Sequence, residues 1–278
     1  MSKTIYFEIY RFHLLPITTH QISLFEHEMS YEELVQKKNG FFDSIVQNLQ
    51  NNAQDFPIEL YSSEDKSYLF RLANPKKTTI YRNFSEREEN TEPYIYIIIN
   101  TDPLVQKIAI SRNSQAFSTP NSSKNVLSTI FSKYLKLYGL SIEFEQLFES
   151  KTFWSYARRF DGRIKSIDFE IIKPNLSKIS HTIKDSLKPL IESTNSHKTH
   201  LKLDAPKEGV LENINKENKL VDGLVTYSSE GGGNISMSII GLATRVRTDR
   251  MVTTKKISEI NIKGSPDQVI KVWKDITE

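Results

Sequence analysis

Residues 94–100 read YIYIIIN. Six apolar side chains in a row leave neither face of a strand polar, so a strand here is covered on both sides and lies inside a sheet. Around it, from Ile58 to Arg112, the pattern follows the period of two expected of strands. The spacing predicts strands at Ile58–Tyr61, Tyr68–Leu72, Thr78–Arg82, Tyr94–Asn100 and Val105–Ser111. The turn-like stretches SSEDK, ANPKK, SEREENTEP and NTDP separate them. This is the pattern of an antiparallel meander with YIYIIIN at its centre.

Upstream, Ile5–His13 is rich in β-branched and aromatic residues and reads as a first strand closed by Pro16. Ser30 and Glu33 form a capping-box pair ahead of Leu34, Phe41, Phe42, Ile45, Val46 and Leu49, which recur at helical spacing. Gly40 is expected to bend that helix or to end a first short one. Downstream, Ser122–Tyr138 reads as an amphipathic helix with Gly139 as its C-cap, followed by a short strand, Leu140–Phe144.

The second half opens with a helix over Thr152–Phe160, stopped by the Asp161-Gly162 turn. A strand at Arg163–Ile172, a helix from Ser177 to about Thr194 and a strand at His197–Leu203 then have the length of a β–α–β parallel crossover. Residues 207–222 are polar helix or loop. The Gly-rich tract Gly231–Gly233 precedes strands at Ile235–Val246 and Thr253–Ile262, and Ser265-Pro266 starts a last helix through Trp273. The expected fold class is α+β with two domains. The first, 1–148, is a mostly antiparallel sheet with flanking helices. Residues 149–162 form a linker or bridging helix. The second domain, 163–278, is a four-stranded α+β sandwich.

Composition narrows the function classes. With 278 residues and 38% hydrophobic content the chain can bury a core without staples. It has no Cys, which excludes disulfides, Cys-type zinc sites and thiol nucleophiles and fits a reducing cytoplasm. The longest apolar run, Tyr94–Ile99, falls far short of the roughly 20 residues a membrane helix needs. The N-terminal residues alternate where a signal peptide would be uniformly apolar. A cytoplasmic protein without membrane insertion is expected.

Charge changes sign along the chain. Residues 1–150 hold 15 Lys+Arg against 18 Asp+Glu, a net of −3; residues 151–278 hold 22 against 16, a net of +6. The stretch 151–165, KTFWSYARRFDGRIK, opens the basic half with five cations, one anion and four aromatics. An aromatic-studded basic stretch is the electrostatic footprint of a polyanion partner. Arg158, Arg159, Arg163 and Lys165 form one candidate phosphate-binding cluster. Arg245, Arg247, Arg250, Lys255 and Lys256 form a second around the last hairpin. The simpler explanation for each is a solvated charged face, with the aromatics in the core.

Other chemistry is thinner. Asp168 and Glu170 share a strand face and could hold Mg²⁺ in a nuclease, but Lys173 falls on the opposite face. His197 and His200 point apart on a strand, and His13 reads as a strand-end residue. Gly231–Gly233 could offer N–H groups to an anion, yet no phosphate-loop motif surrounds them, and a turn into the next strand explains them as well. No cofactor and no catalytic residue is indicated.

The run SIDFEIIKPNLSKISHTIKDSLKPLIESTNSHKTHLKL at 166–203, the EGGG tract at 230–233 and the opening YFEIYRFHLLP resemble an uncharacterised bacterial family associated with phage-defence loci. More remotely, the layout is similar to the RexA and KwaB defence proteins. The resemblance implies a defence role, DNA as partner and self-association as a homodimer, and it assigns no site residues. The expected function is sequence-tolerant nucleic-acid binding, DNA foremost. A Mg²⁺-dependent nuclease or an interaction module docking a partner protein of a defence operon are the alternatives.

Overall fold

The computed structural model describes residues 4–17, 22–24, 27–52, 56–173, 190, 191, 193, 194, 196–258, 272, 274 and 276. The helices expected over 177–194 and 265–273 lie outside the described residues, save for a few helical positions. In chain order the elements are strands β1 (Thr4–Pro16), β2 (Ile22–Leu24) and β3 (His27–Met29), then helices α1 (Tyr31–Gln47) and α2 (Leu49–Asn52). Strands β4 (Ile58–Glu64), β5 (Ser67–Ala73), β6 (Lys76–Arg82), β7 (Ser85–Thr91), β8 (Tyr94–Asn100) and β9 (Lys107–Ser111) follow. Next come α3 (Pro120–Leu135), β10 (Leu140–Gln146), α4 (Ser150–Arg159), β11 (Ile164–Ile172) and β12 (Lys198–Asp204). The last are α5 (Lys219–Tyr227), β13 (Ile235–Ile239), β14 (Val246–Arg247) and β15 (Thr254–Ser258). The fold is α+β, as expected, with a large antiparallel sheet and a smaller one of four strands.

The larger sheet has the order β10-β1-β9-β8-β5-β4, and β15 also pairs with β1. β8 is YIYIIIN, and all of it from Ile95 to Asn100 is buried. It pairs antiparallel with β5 from Ser67↔Asn100 to Ala73↔Tyr94, and with β9 from Ile97↔Ile110 to Asn100↔Lys107. Its doubly apolar sequence is therefore that of an interior strand. α1 begins at the Ser30–Glu33 capping box, with both reciprocal bonds present. It runs through Gly40 without a break; the Ser44 hydroxyl donates to the Gly40 carbonyl at 3.0 Å. α3 starts at Pro120 behind the Thr119 N-cap, and Phe131 meets Phe42 of α1 edge-on at 5.1 Å.

Two expectations about the meander are corrected. Thr78–Arg82 does not join the sheet: among the described residues β6 pairs only with β7, in a separate two-stranded ribbon. SEREENTEP is accordingly strand and not turn. Its charged residues sit on a ribbon exposed on both faces, where apolar alternation is not required.

The four-stranded sheet has the order β12-β11-β13-β14. β11 and β12 are antiparallel neighbours, from Ser166↔Asp204 to Ile172↔Lys198, so the expected parallel crossover is corrected. The expected strand Ile235–Val246 is two strands, β13 and the short β14, separated by residues 240–245. The strand expected at 253–262 is β15, which pairs with β1, from Thr4↔Ser258 to Glu8↔Thr254, and is not the fourth strand of the small sheet. Within 207–222 the chain is loop up to the Asn218 N-cap, from which α5 continues to Tyr227.

The chain forms two compact units. The first comprises Met1–Ile9, Pro16–Ile142 and Thr254–Glu278; the second comprises Tyr10–Leu15 and Glu143–Thr253. Residues 149–162 are not a linker: α4 buries Phe153, Trp154 and Ala157 in the core of the second unit. That core also holds Ile167, Phe169 and Ile171 of β11, Ile235, Met237 and Ile239 of β13, and Val221, Val225 and Tyr227 of α5.

Candidate nucleic-acid interface

α4 is two-sided, with its aromatics inward and Lys151, Ser155, Arg158 and Arg159 in solvent. Trp154 and Phe160 are thus core residues and unavailable for base stacking. Arg158 and Arg159 occupy the last turn, where cations complement the helix dipole. The chain then turns at Gly162, and Arg163 comes back alongside Arg159. The guanidinium carbons of Arg163 and Arg159 lie 5.6 and 5.4 Å from the centre of the Phe160 ring. Both are exposed, so the cation–π contacts orient them at little desolvation cost.

The same corner takes in the connection between β13 and β14. Arg163 Nη2 donates to the Ile240 carbonyl at 2.7 Å. At the other end Arg245 Nη2 donates to Ser166 Oγ at 3.3 Å. Residues 240–245 are tied at each end by an arginine that keeps other N–H groups for a ligand. Arg247 follows on β14, opposite Ser236, but forms an ion pair with Asp249 at 2.9 Å. Arg250 is exposed at the end of a 3₁₀ turn held by Thr248, whose hydroxyl bonds the backbone of Ile235.

The remaining cations stand elsewhere. Lys165 Nζ donates to the carbonyls of Pro206, Lys207 and Gly209 at 2.6, 2.6 and 2.9 Å. An ammonium has three protons, and all three are committed to this loop. Lys165 is a clamp. Lys255 and Lys256 belong to the first unit, on β15, where Lys256 Nζ lies 5.5 Å from the centre of the Tyr6 ring. Cations that stand together in the sequence thus fall in different units.

The outer face of the four-stranded sheet carries the carboxylates of the nuclease alternative. Asp168 lies opposite Lys202 and Glu170 opposite His200. His200 Nδ1 is 3.2 Å from Asp168 Oδ1, and Lys198 Nζ is 3.1 Å from Glu170 Oε1. Partial burial alone would lower the Lys198 pKa, but the bond and charge of Glu170, with Glu145 and Glu143 beyond it, raise it overall. Each carboxylate already has a cationic or imidazole partner from β12. Among the described residues no group of three His, Asp or Glu side chains is placed to hold a metal ion.

Gly231–Gly233 serve packing. A Cβ at Gly231 would lie 2.6 Å from Arg11 Cβ, at Gly232 2.2 Å from the Tyr227 ring, and at Gly233 1.9 Å from the Glu170 carbonyl oxygen. All three are buried, so their N–H groups do not face a solvent-borne anion. Two β1 side chains hold the tract: Arg11 Nε donates to the Glu230 carbonyl, and His13 Nε2 meets the Gly231 carbonyl, each at 2.6 Å. Burial lowers the Arg11 pKa, and nearby Glu230 and Tyr227 oppose that effect. Sequence reasoning missed this role. Its signal was the period-two spacing of Arg11 and His13, which puts both on one face of β1.

No family model matches the chain, and no curated protein matches it either.

Proposed function

We propose that the protein binds nucleic acid, DNA foremost, through phosphate contacts from the arginine corner of the second unit. One observation carries the reading. Arg158, Arg159, Arg163 and Arg245 of the corner, and Arg250 by the far end of β13, are all exposed, and none has a carboxylate partner among the described residues. Exposed guanidiniums that no acid neutralises cost little to keep in water and gain most from a polyanion, which releases counterions on binding. The defence role, the cytoplasmic setting, a homodimer and a partner protein of the same operon rest on the family resemblance and composition alone. The absence of a helix long and apolar enough to cross a membrane among the described residues is compatible with that setting.

Fluorescence anisotropy with duplex DNA, single-stranded DNA and RNA at two salt concentrations tests it. The wild-type chain should bind duplex DNA at low salt, and binding should weaken steeply as salt rises. The double variant Arg158→Glu/Arg159→Glu should flatten the log–log salt dependence by roughly 0.9 for each phosphate that is no longer neutralised. Its fold stability should move by no more than about 0.5 kcal/mol per site, as is usual for exposed positions. A wild-type chain that binds none of the three polymers at low salt ends the reading. Cleavage of the probe in Mg²⁺, abolished by Glu170→Ala, would replace it with the nuclease.

A further inference from the structure

The ribbon of β6 and β7 belongs to the first unit and pairs with no other strand among the described residues. From Lys77 to Asn90 every residue is exposed except the half-buried Ile80. An isolated two-stranded hairpin is only marginally stable in water, so such a projection is expected to be short and polar throughout. Its tip is the opposite. Tyr81, at 73% exposure, and Phe84, fully exposed, are the two most exposed large hydrophobic side chains among the described residues. Phe84 is in the two-residue turn Asn83-Phe84 flanked by the Arg82↔Ser85 pair, and Tyr81 stands one pair further back on β6, opposite Glu86.

That turn has positive φ at both central residues, 49° at Asn83 and 60° at Phe84. Hairpin turns of this hand favour Asn followed by Gly. Asn83 fits the first position, but the second holds a phenylalanine in the left-handed region, where a bulky side chain is an outlier. The ring offsets that strain with no burial. A glycine would serve the turn better.

We infer that the ribbon tip is a base-stacking contact for nucleic acid, with Phe84 against a base face, Tyr81 beside it and Arg82 on the adjacent phosphate. The inference rests on the nucleic-acid reading above and names a second contact for it. Charge favours this occupant. Residues 80–85 carry one charge, that of Arg82, and it complements a phosphate. Behind the tip the shaft is neutral, with Lys76, Lys77 and Arg87 balancing Glu86, Glu88 and Glu89 and Lys77 paired to Glu88 at 3.5 Å, so Arg82 leaves the ribbon with a net positive charge at its tip. Exposed aromatic rings stack with any unpaired base, since every base of a single strand offers a free π face, so this contact is expected with single-stranded and not with duplex DNA. The Asn83 amide adds a donor and an acceptor for a base edge.

The tip contributes stacking more than charge, and its signature follows. Phe84→Gly should weaken binding to single-stranded DNA roughly 5- to 150-fold. The salt slope should stay unchanged, in contrast to the flattening expected for Arg158→Glu/Arg159→Glu. The folded protein should be no less stable, because glycine is at ease at this φ. Phe84→Trp should keep the affinity, and its emission should be quenched by added DNA beyond the quenching of the wild-type tryptophans.

If the wild type binds but Phe84→Gly binds equally well and the Phe84→Trp signal does not respond, the tip contact is wrong and the arginine corner stands. If Phe84→Gly instead changes sedimentation of the protein alone, the tip docks protein, and the inference falls. A wild-type chain that binds no nucleic acid removes both.

Discussion

A methyl group added at Gly232 would sit 2.2 Å from the Tyr227 ring, so the conformation of this tract and the burial of Tyr227 depend on each other. The Tyr227 hydroxyl donates to the Ile172 carbonyl at 2.5 Å in a fully enclosed site. Burial pushes its pKa well above the ordinary tyrosine value, with Arg11 pulling it down and Glu145 adding to the rise. In the unfolded chain the phenol ionises near pH 10. In the folded chain it stays neutral beyond that, so the stability it contributes is complete below about pH 10 and is lost as pH rises toward the folded value. Tyr227→Phe should cost about 1–3 kcal/mol at pH 8 by leaving the Ile172 carbonyl unmatched. By pH 11 its gap to the wild type should narrow by about 1 kcal/mol, because the variant has no phenol to ionise when it unfolds. Urea unfolding at the two pH values reads both numbers, and a gap independent of pH contradicts the enclosed, neutral phenol. The glycines stand out in the sequence but the ring they make room for does not, since Tyr227 and Ile172 are brought together only by the fold.

Elements whose identity depends on local periodicity were legible. The Ser30–Glu33 box starts α1, YIYIIIN is an interior strand, and Gly139 caps the turn after α3 at φ 65°. Elements set by what pairs with them were not. β7 is strand because β6 lies beside it, and no alternation in SEREENT announces it. α5 follows a charged, Asn-rich loop that masks its start, although Asn218 caps it by accepting from the Leu220 and Val221 N–H groups. Lys165 shows the same limit for the candidate site. In sequence it is one more cation of a basic stretch; in the fold it fastens residues 206–209 to β11. Lys165→Met should lower stability by about 1–2 kcal/mol, since charge-assisted bonds disappear but the loop carbonyls can turn to water. Nucleic-acid affinity and its salt slope should not change. A flattened slope in Lys165→Met would mean that the ammonium leaves the loop to meet phosphate.

At the scale of the whole chain, charge was a misleading guide to where the molecule divides. The sign change near residue 150 falls close to the start of α4, which is core and not connector. Each compact unit is built from discontinuous segments. Tyr10–Leu15 belongs with the second unit, and Thr254 onward belongs with the first, where β15 lies along β1. A sequence read for local pattern cannot show this, because β15 and β1 are some 250 residues apart and share only their register. The consequence is testable with two fragments cut at the expected boundary. Residues 163–278 would carry β15 without β1, and would lack α4, whose Phe153, Trp154 and Ala157 fill the core beneath β11. Residues 1–148 would keep β1 with its β15 edge unpaired, and would hold Arg11 and His13 without the Glu230–Gly231 carbonyls they meet. A buried guanidinium left without its acceptor is costly, and an unpaired strand edge invites association. Neither fragment should give a cooperative urea transition alone, whereas the intact chain should. Co-expression of the two should restore a soluble complex. A 163–278 fragment that unfolds cooperatively by itself, with native-like dispersion of its amide resonances, would show that β1 and α4 are dispensable to it and that the division by charge was right.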